Sequence, residues 1–211
     1  MSQRWWYLRR GVAWQPVLGC LAAAVVAVGL LARWPSSAVL MLPALLAALA
    51  AGAAFLYDEP AVSIASVTPR GSTWRGTTRL LAALFPLALW AAVIALRPGD
   101  LPLSQPGWLL LGAASILLAT GIAALAVRPG NPTPGPTLAG LIAIAVLAPV
   151  VTAGFLGFPI PFPLEGFPDG IRTFWVVVAC VAALACAAGS RGSIMGAWST
   201  PPSSRRTAPH M

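Results

Sequence analysis

Six runs of apolar residues, each close to the length of a bilayer crossing and none with a charge at its centre, take up most of the chain. They lie at about Val12–Ala32, Ala38–Tyr57, Leu80–Leu96, Gly107–Val127, Thr137–Phe155 and Ile171–Gly189. A membrane-spanning helix needs about 20 residues, within a usable range of about 17–25. Even the third run, at 17 residues, falls inside it. A charged side chain at mid-bilayer costs at least about 2.5–3.5 kcal/mol on insertion scales, which explains the clean centres. Only 9% of the 211 residues are charged and 58% are hydrophobic, whereas a soluble domain carries about 25% charged residues to build its polar shell. The reading is an all-α, polytopic membrane protein with six transmembrane helices. A soluble enzyme or a nucleic-acid-binding domain is excluded, despite a net charge of +8.

That positive charge reports topology. All 13 basic residues are arginine. Ten of them (Arg4, Arg9, Arg10, Arg70, Arg75, Arg79, Arg128, Arg191, Arg205 and Arg206) fall in the termini and in alternate loops on one side, against Arg33, Arg97 and Arg172 on the other. The positive-inside rule then places both termini in the cytoplasm of a multi-pass cell-membrane protein. Trp14, Trp34, Trp74, Trp108, Trp175 and Trp198 all sit near span ends, where amphipathic rings prefer the headgroup level. The chain divides into an interfacial segment over residues 1–15, a six-helix domain over 12–189, and a Pro/Ser/Arg-rich tail over 190–211 expected to be disordered. The last two tail residues, His210 and Met211, read either as native or as a cloning remnant. No cleavable signal is expected at the N-terminus, because no A-x-A-like site follows its basic, aromatic start.

Within the spans, Ala44, Ala48 and Gly52 form one small-residue ladder and Ala179, Ala183 and Ala187 another. Such ladders let helices approach closely where no hydrophobic effect drives them together. Pro43, Pro86 and Pro149 lie inside spans and are expected to kink them. Cys20, Cys180 and Cys186 lie in apolar runs without disulfide or metal-ligand spacing and read as packing residues.

Three segments outside the spans carry the remaining information. Ser2–Gln15 is basic and aromatic. As a helix it groups Trp5, Trp6, Leu8, Val12 and Ala13 loosely on one side, with Arg4 and Arg10 elsewhere, suiting a helix in the membrane interface or a plain juxtamembrane anchor. The second-to-third connection, Asp58–Arg79, opens with Asp58, Glu59 and Pro60, which suit the first turn of a helix. Residues Ala61–Val67 then allow two turns before Pro69. This reads either as a short cytoplasmic helix that docks a soluble partner, through Asp58, Glu59, Pro60, Val62, Ile64, Val67 and Arg70, or as a solvated loop. The fifth-to-sixth connection, from Phe155 to Ile171, is rich in Phe and Pro. So much aromatic surface must dip into the interface or pack on protein. It reads as a partly re-entrant external cap formed by Phe158, Phe162 and Phe167, with Glu165 and Asp169 at its wet rim, or as a plain interfacial loop.

No span contains Asp, Glu, His, Lys or Arg at its centre, and no nucleophile–base set, metal-ligand cluster or P-loop is present. No catalytic residue, metal site or cofactor is therefore assigned to this chain, and chemistry is expected to belong to a partner. Ser115, Thr120 and Thr152, deep in the spans, are expected to bond back to helix carbonyls or across to a neighbour.

The layout resembles the membrane (permease) subunits of type-2 ABC exporters, which have six helices, an interfacial helix before the first, a coupling helix between the second and third, and re-entrant elements between the fifth and sixth. Ser2–Gln15, Asp58–Arg79 and Phe155–Ile171 occupy those three places. The stretch DEPAVSIASVTPR, residues 58–70, also looks like a loop of actinobacterial permease-like proteins. The resemblance implies an exporter subunit whose Asp58–Arg70 segment docks on a separate cytoplasmic ATPase that holds the ATP and Mg. It also implies a second permease subunit, identical or not, with the substrate path between the two, and an Ala/Leu/Val-rich lining suited to lipid-like cargo. The alternative from the residues alone is a non-transporting accessory or scaffold subunit, which needs only the packing ladders and the docking loop.

Overall fold

The computed structural model describes residues 3–58, 72–96, 102–127, 133–157 and 162–195. Every regular element among them is helical. A short first helix, α1 (Gln3–Gly11), precedes α2 (Trp14–Arg33) and, after a single 3-10 turn at Pro35–Ser37, α3 (Ala38–Phe55). The next crossing is split into α4 (Ser72–Ala82) and α5 (Leu84–Leu96), followed by α6 (Gln105–Ala126), α7 (Gly135–Leu156) and α8 (Asp169–Met195). Among the described residues, six helical stretches are long and apolar enough to cross a membrane: Trp14–Arg33, Pro35–Phe55, Trp74–Leu96, Gln105–Ala126, Gly135–Leu156 and Asp169–Gly189. Their outward faces carry bare Leu18, Val25, Leu40, Phe85, Ile144, Val177 and Leu184. A water-soluble surface would not tolerate this much contiguous apolar area, and a bilayer supplies its solvent.

The spans alternate in direction. Contacts among α1, the end of α3, the start of α4 and the start of α7 define one end of the bundle, the near end. Contacts among the start of α6, residues 162–167 and the start of α8 define the far end. α1 and the last turn of α8 therefore lie at the same end.

α3 is the axle. It packs on α2, α5, α6 and α7, and most of α3 is buried, whereas little of Asp169–Gly189 is. Leu42, Leu45, Leu46, Leu49 and Ala53 are all shielded, so beyond its first turn, where Leu40 is bare, α3 is covered all round. That fits a helix apolar all round, as its sequence is. Gly52 meets α2 at Cys20, whose Cβ lies 3.4 Å from where a Gly52 Cβ would be. The first of the two expected ladders thus touches a neighbour at this position.

The second ladder does not lie where expected. α6 and α8 run parallel and form the most extensive helix pair, yet Ala183 and Ala187 face outward. The close face is one step round the helix. A Cβ on Gly121 would fall 2.7 Å from Ala185 Cβ, and one on Gly189 would fall 2.6 Å from Ala124 Cβ. Cys186 Sγ donates to the Leu117 carbonyl at 3.3 Å, and Ala182 is wholly buried. Alanine is so frequent in this span that spacing alone selects no single face.

Of the three internal prolines, only Pro86 coincides with a break in the helix, at Ala83 between α4 and α5. Proline has no N–H to offer the carbonyl four residues back. Pro43 and Pro149 lie inside uninterrupted helices. The third crossing also starts earlier than its apolar run, because Trp74–Arg79 is already helical. α8 continues to Met195, six residues into what reads as a disordered tail, and residues 196–211 lie outside the described ones. Thr120 and Thr152 bond back to the carbonyls of Ile116 and Ala148, at 2.7 and 2.8 Å, as expected of hydroxyls in a span.

Candidate functional site

Among the described residues, the densest polar construction lies at the near end, where the chain leaves α3 and re-enters at α4. α3 closes with two tightened turns, Tyr57 N–H donating to Ala54 O and Asp58 N–H to Phe55 O, each at 3.1 Å. They carry Tyr57 and Asp58 inward rather than into solvent, and both are buried, Asp58 being only 3% exposed. The Gly135 N–H at the start of α7 donates to Asp58 Oδ1 at 2.7 Å. Helix starts leave backbone N–H groups without intrahelical partners. Here the cap comes from another helix, since α7 has no side-chain cap of its own. The neighbouring Pro136 has no N–H at all. Glycine is required by space: a Cβ at Gly135 would fall 2.5 Å from both Asp58 Oδ2 and Phe55 Cδ1.

Arg79 completes the junction. Its Nη1 donates to the Tyr57 carbonyl at 3.0 Å across the buried interface. Its guanidinium lies 5.7 Å from the Tyr57 ring centre and 5.8 Å from that of Tyr7 in α1. An aromatic pair around a desolvated guanidinium is a favourable cation–π setting. Tyr7 in turn meets Trp74 edge-on, with centroids 5.4 Å apart. The Thr77 and Thr78 hydroxyls return to Trp74 O, so this polar turn satisfies itself within α4. Beneath it, Val12, Ala54, Leu56, Ala83 and Ala123 form a small apolar floor.

The electrostatics follow from burial. Desolvation pushes the Asp58 carboxyl above its ordinary range, while the Gly135 N–H and the Arg79 charge oppose the shift. Tyr57 Oη is enclosed with no hydrogen-bond partner among the described residues. Nothing in this arrangement offers a nucleophile–base pair. Among the described residues, no group of three or more His, Cys, Asp or Glu lies together as metal ligands would. The junction joins α1, α3, α4 and α7 where the chain leaves α3 and re-enters at α4.

The expected docking residues divide accordingly. Asp58 points inward and is spent on Gly135, so it presents no exposed carboxylate. Glu59, Pro60, Val62, Ile64, Val67 and Arg70, with the expected short helix at Ala61–Val67, lie outside the described residues. α1 is helical as one reading expected, but its faces are assigned differently. Arg4, Trp5, Trp6, Arg9 and Arg10 are exposed, while Tyr7 and Leu8 within the helix and Val12 just beyond it turn inward.

At the far end, the expected cap packs on protein. Phe162 is 5% exposed and lies between Trp108 and Trp175, with centroids 6.4 and 6.2 Å away. Phe167 meets Trp108 edge-on at 6.3 Å. Trp108 Nε1 donates to Pro163 O at 3.1 Å, and Ser104 N–H to Leu164 O at 3.0 Å. Residues 162–168 are non-helical, as four nearby prolines dictate. Glu165 and Asp169 are exposed at the rim, and Phe158 lies outside the described residues. Trp90, unremarkable in the sequence, is fully buried and anchors the cap from below, its Nε1 donating to Trp108 O at 2.9 Å against the bare backbone of Gly112.

Sequence reasoning missed four of the near-end residues. Arg79 reads as one more topology charge, Tyr57 only as the last residue of a span, and Tyr7 and Gly135 carry no assignment. The only advance signal was an Arg directly abutting an apolar run. No protein-family model matches the chain, and no curated protein or solved structure shows significant similarity to it.

Proposed function

We propose that this chain is the permease subunit of an ATP-driven ABC exporter in the cell membrane, with both termini cytoplasmic and with residues 59–71 docking on a separate ATPase. The observation that carries the reading is how that connection is rooted. Its first flank, Asp58, holds the start of α7, and its second flank leads within a few residues to Arg79, which grips the end of α3. A displacement of the loop by a partner would therefore act on three spans at once. A coupling element must do this.

The filled centre favours one constraint within this reading. α3 occupies the axis of the bundle with tightly packed leucines, so a substrate path would run between two permease subunits. The same feature suits an accessory subunit with no path of its own, the second reading. Co-expression with a candidate cytoplasmic ATPase decides between them. The expected result is a complex that survives gentle detergent and whose ATP hydrolysis falls on substitution of Glu59 or Val62. A chain that purifies alone with its ATPase present overturns the permease reading. Capture of a partner that is not an ATPase favours the accessory one.

A further inference from the structure

The outward face of α1 has no part in the junction. α1 is fixed to the bundle by its inner side: Tyr7 sits on Arg79 and Trp74, and the Trp14 indole donates to Leu8 O at 2.9 Å. Its other side presents Trp5 and Trp6, 52% and 56% exposed, together with Arg9 and Arg10. The two residue types are interleaved, and the Arg10 guanidinium lies 5.1 Å from the Trp6 ring centre. Indole rings favour the headgroup level of a bilayer, and arginine forks match phosphate oxygens.

The charge around this face is one-sided. α1 contains no acid. Among the described residues at the near end, the only carboxylate is that of Asp58, which is buried and bonded to Gly135. Glu165 and Asp169 stand at the far end. A helix docked by its inner side at the foot of the first span, bare on a mixed Trp/Arg face, is built to meet a negatively charged surface in the membrane plane.

We propose that the Trp5–Trp6–Arg9–Arg10 face of α1 is a binding surface for anionic phospholipid headgroups. Bound phosphate would sit between Arg9 and Arg10, with the two indoles at the level of the acyl boundary. Because Tyr7 on the opposite side of the same helix covers Arg79, headgroup binding would also hold the near-end junction closed. The surface depends only on α1 and not on the transport reading.

The test reconstitutes the full chain in nanodiscs of phosphatidylcholine alone or of phosphatidylcholine with phosphatidylglycerol. Amide exchange over residues 3–11 and lipids retained on release, by native mass spectrometry, give two readouts. The wild type should show slower exchange in α1 with phosphatidylglycerol and should keep that lipid selectively. The double variant R9Q/R10Q should bind it about 30-fold more weakly, near fivefold per arginine. High salt should erode the wild-type preference in the same direction. R33Q, removing the Arg33–Trp34 pair at the far end, should behave as wild type. Equal retention by R9Q/R10Q, an equal loss in R33Q, or a wild type indifferent to phosphatidylglycerol would each overturn the proposal.

Discussion

Asp58 shows how one residue can be misassigned by its neighbours. Beside Glu59 and Pro60 it reads as an exposed helix-start acid, yet it is among the most shielded polar groups described. A buried hydrogen bond to a charged group contributes about 1.5–3 kcal/mol, so D58A should lower stability in detergent by about that amount. G135A should do comparable damage, since a methyl group there displaces the carboxylate. D58N keeps an acceptor for Gly135 N–H and removes the charge, which separates the two effects. Burial holds the Asp58 pKa above its ordinary 3.8, so the folded chain binds this proton more tightly than the unfolded chain does. Its stabilising contribution is complete below that value and is lost as the pH rises through the folded pKa. Wild type should therefore lose thermal stability relative to D58N on going from below pH 3.8 to neutrality. A difference in Tm between the two that stays flat over this range would refute the assignment.

Among the elements, the packing of α6 on α8 has the clearest consequence. Helices in a bilayer gain little from the hydrophobic effect on meeting, so close backbone approach and dispersion must hold them. Gly121 and Gly189 sit at that approach. G121V and G189V should each destabilise the protein by about 1–3 kcal/mol, the usual cost of overpacking. Gly140 in α7 has open space around its Cβ position, so G140A should be neutral or gain up to about 1 kcal/mol from helix propensity. A183L should also be tolerated, because Ala183 faces the lipid. Unfolding in detergent reads all four, and a G121V protein as stable as wild type would show that the pair is looser than described. The six spans were legible from hydropathy to within a few residues, because a bilayer fixes both their length and their composition. The pairing of their faces was not, since helices this rich in Ala, Leu and Val carry no polar side to point outward. The helical start at Trp74–Arg79 escaped the sequence reading for the opposite reason. Its polar residues look like loop, but the hydroxyls of Thr77 and Thr78 are absorbed by the helix itself.

For the whole molecule, the structure supplies an axis and the charges supply its direction. α1 and the last turn of α8 share the near end, and the aromatic cap of Phe162, Phe167, Trp108 and Trp175 closes the far end. Arg4, Arg9, Arg10, Arg75 and Arg79 gather at the near end, while Arg33 and Arg172 stand at the far end with Glu165 and Asp169. Arginine-rich loops resist translocation, so the near end should face the cytoplasm and the cap the outside. In a chain whose three cysteines are replaced by alanine, a membrane-impermeant maleimide applied to intact cells should label E165C. It should reach R4C only after the membrane is opened. Both replaced residues are exposed, so neither outcome depends on a local unfolding event. Labelling of R4C in intact cells would invert the molecule, moving residues 59–71 away from any cytoplasmic ATPase and ending the coupling proposal. Labelling of E165C alone would leave the near-end junction where an ATPase can reach it.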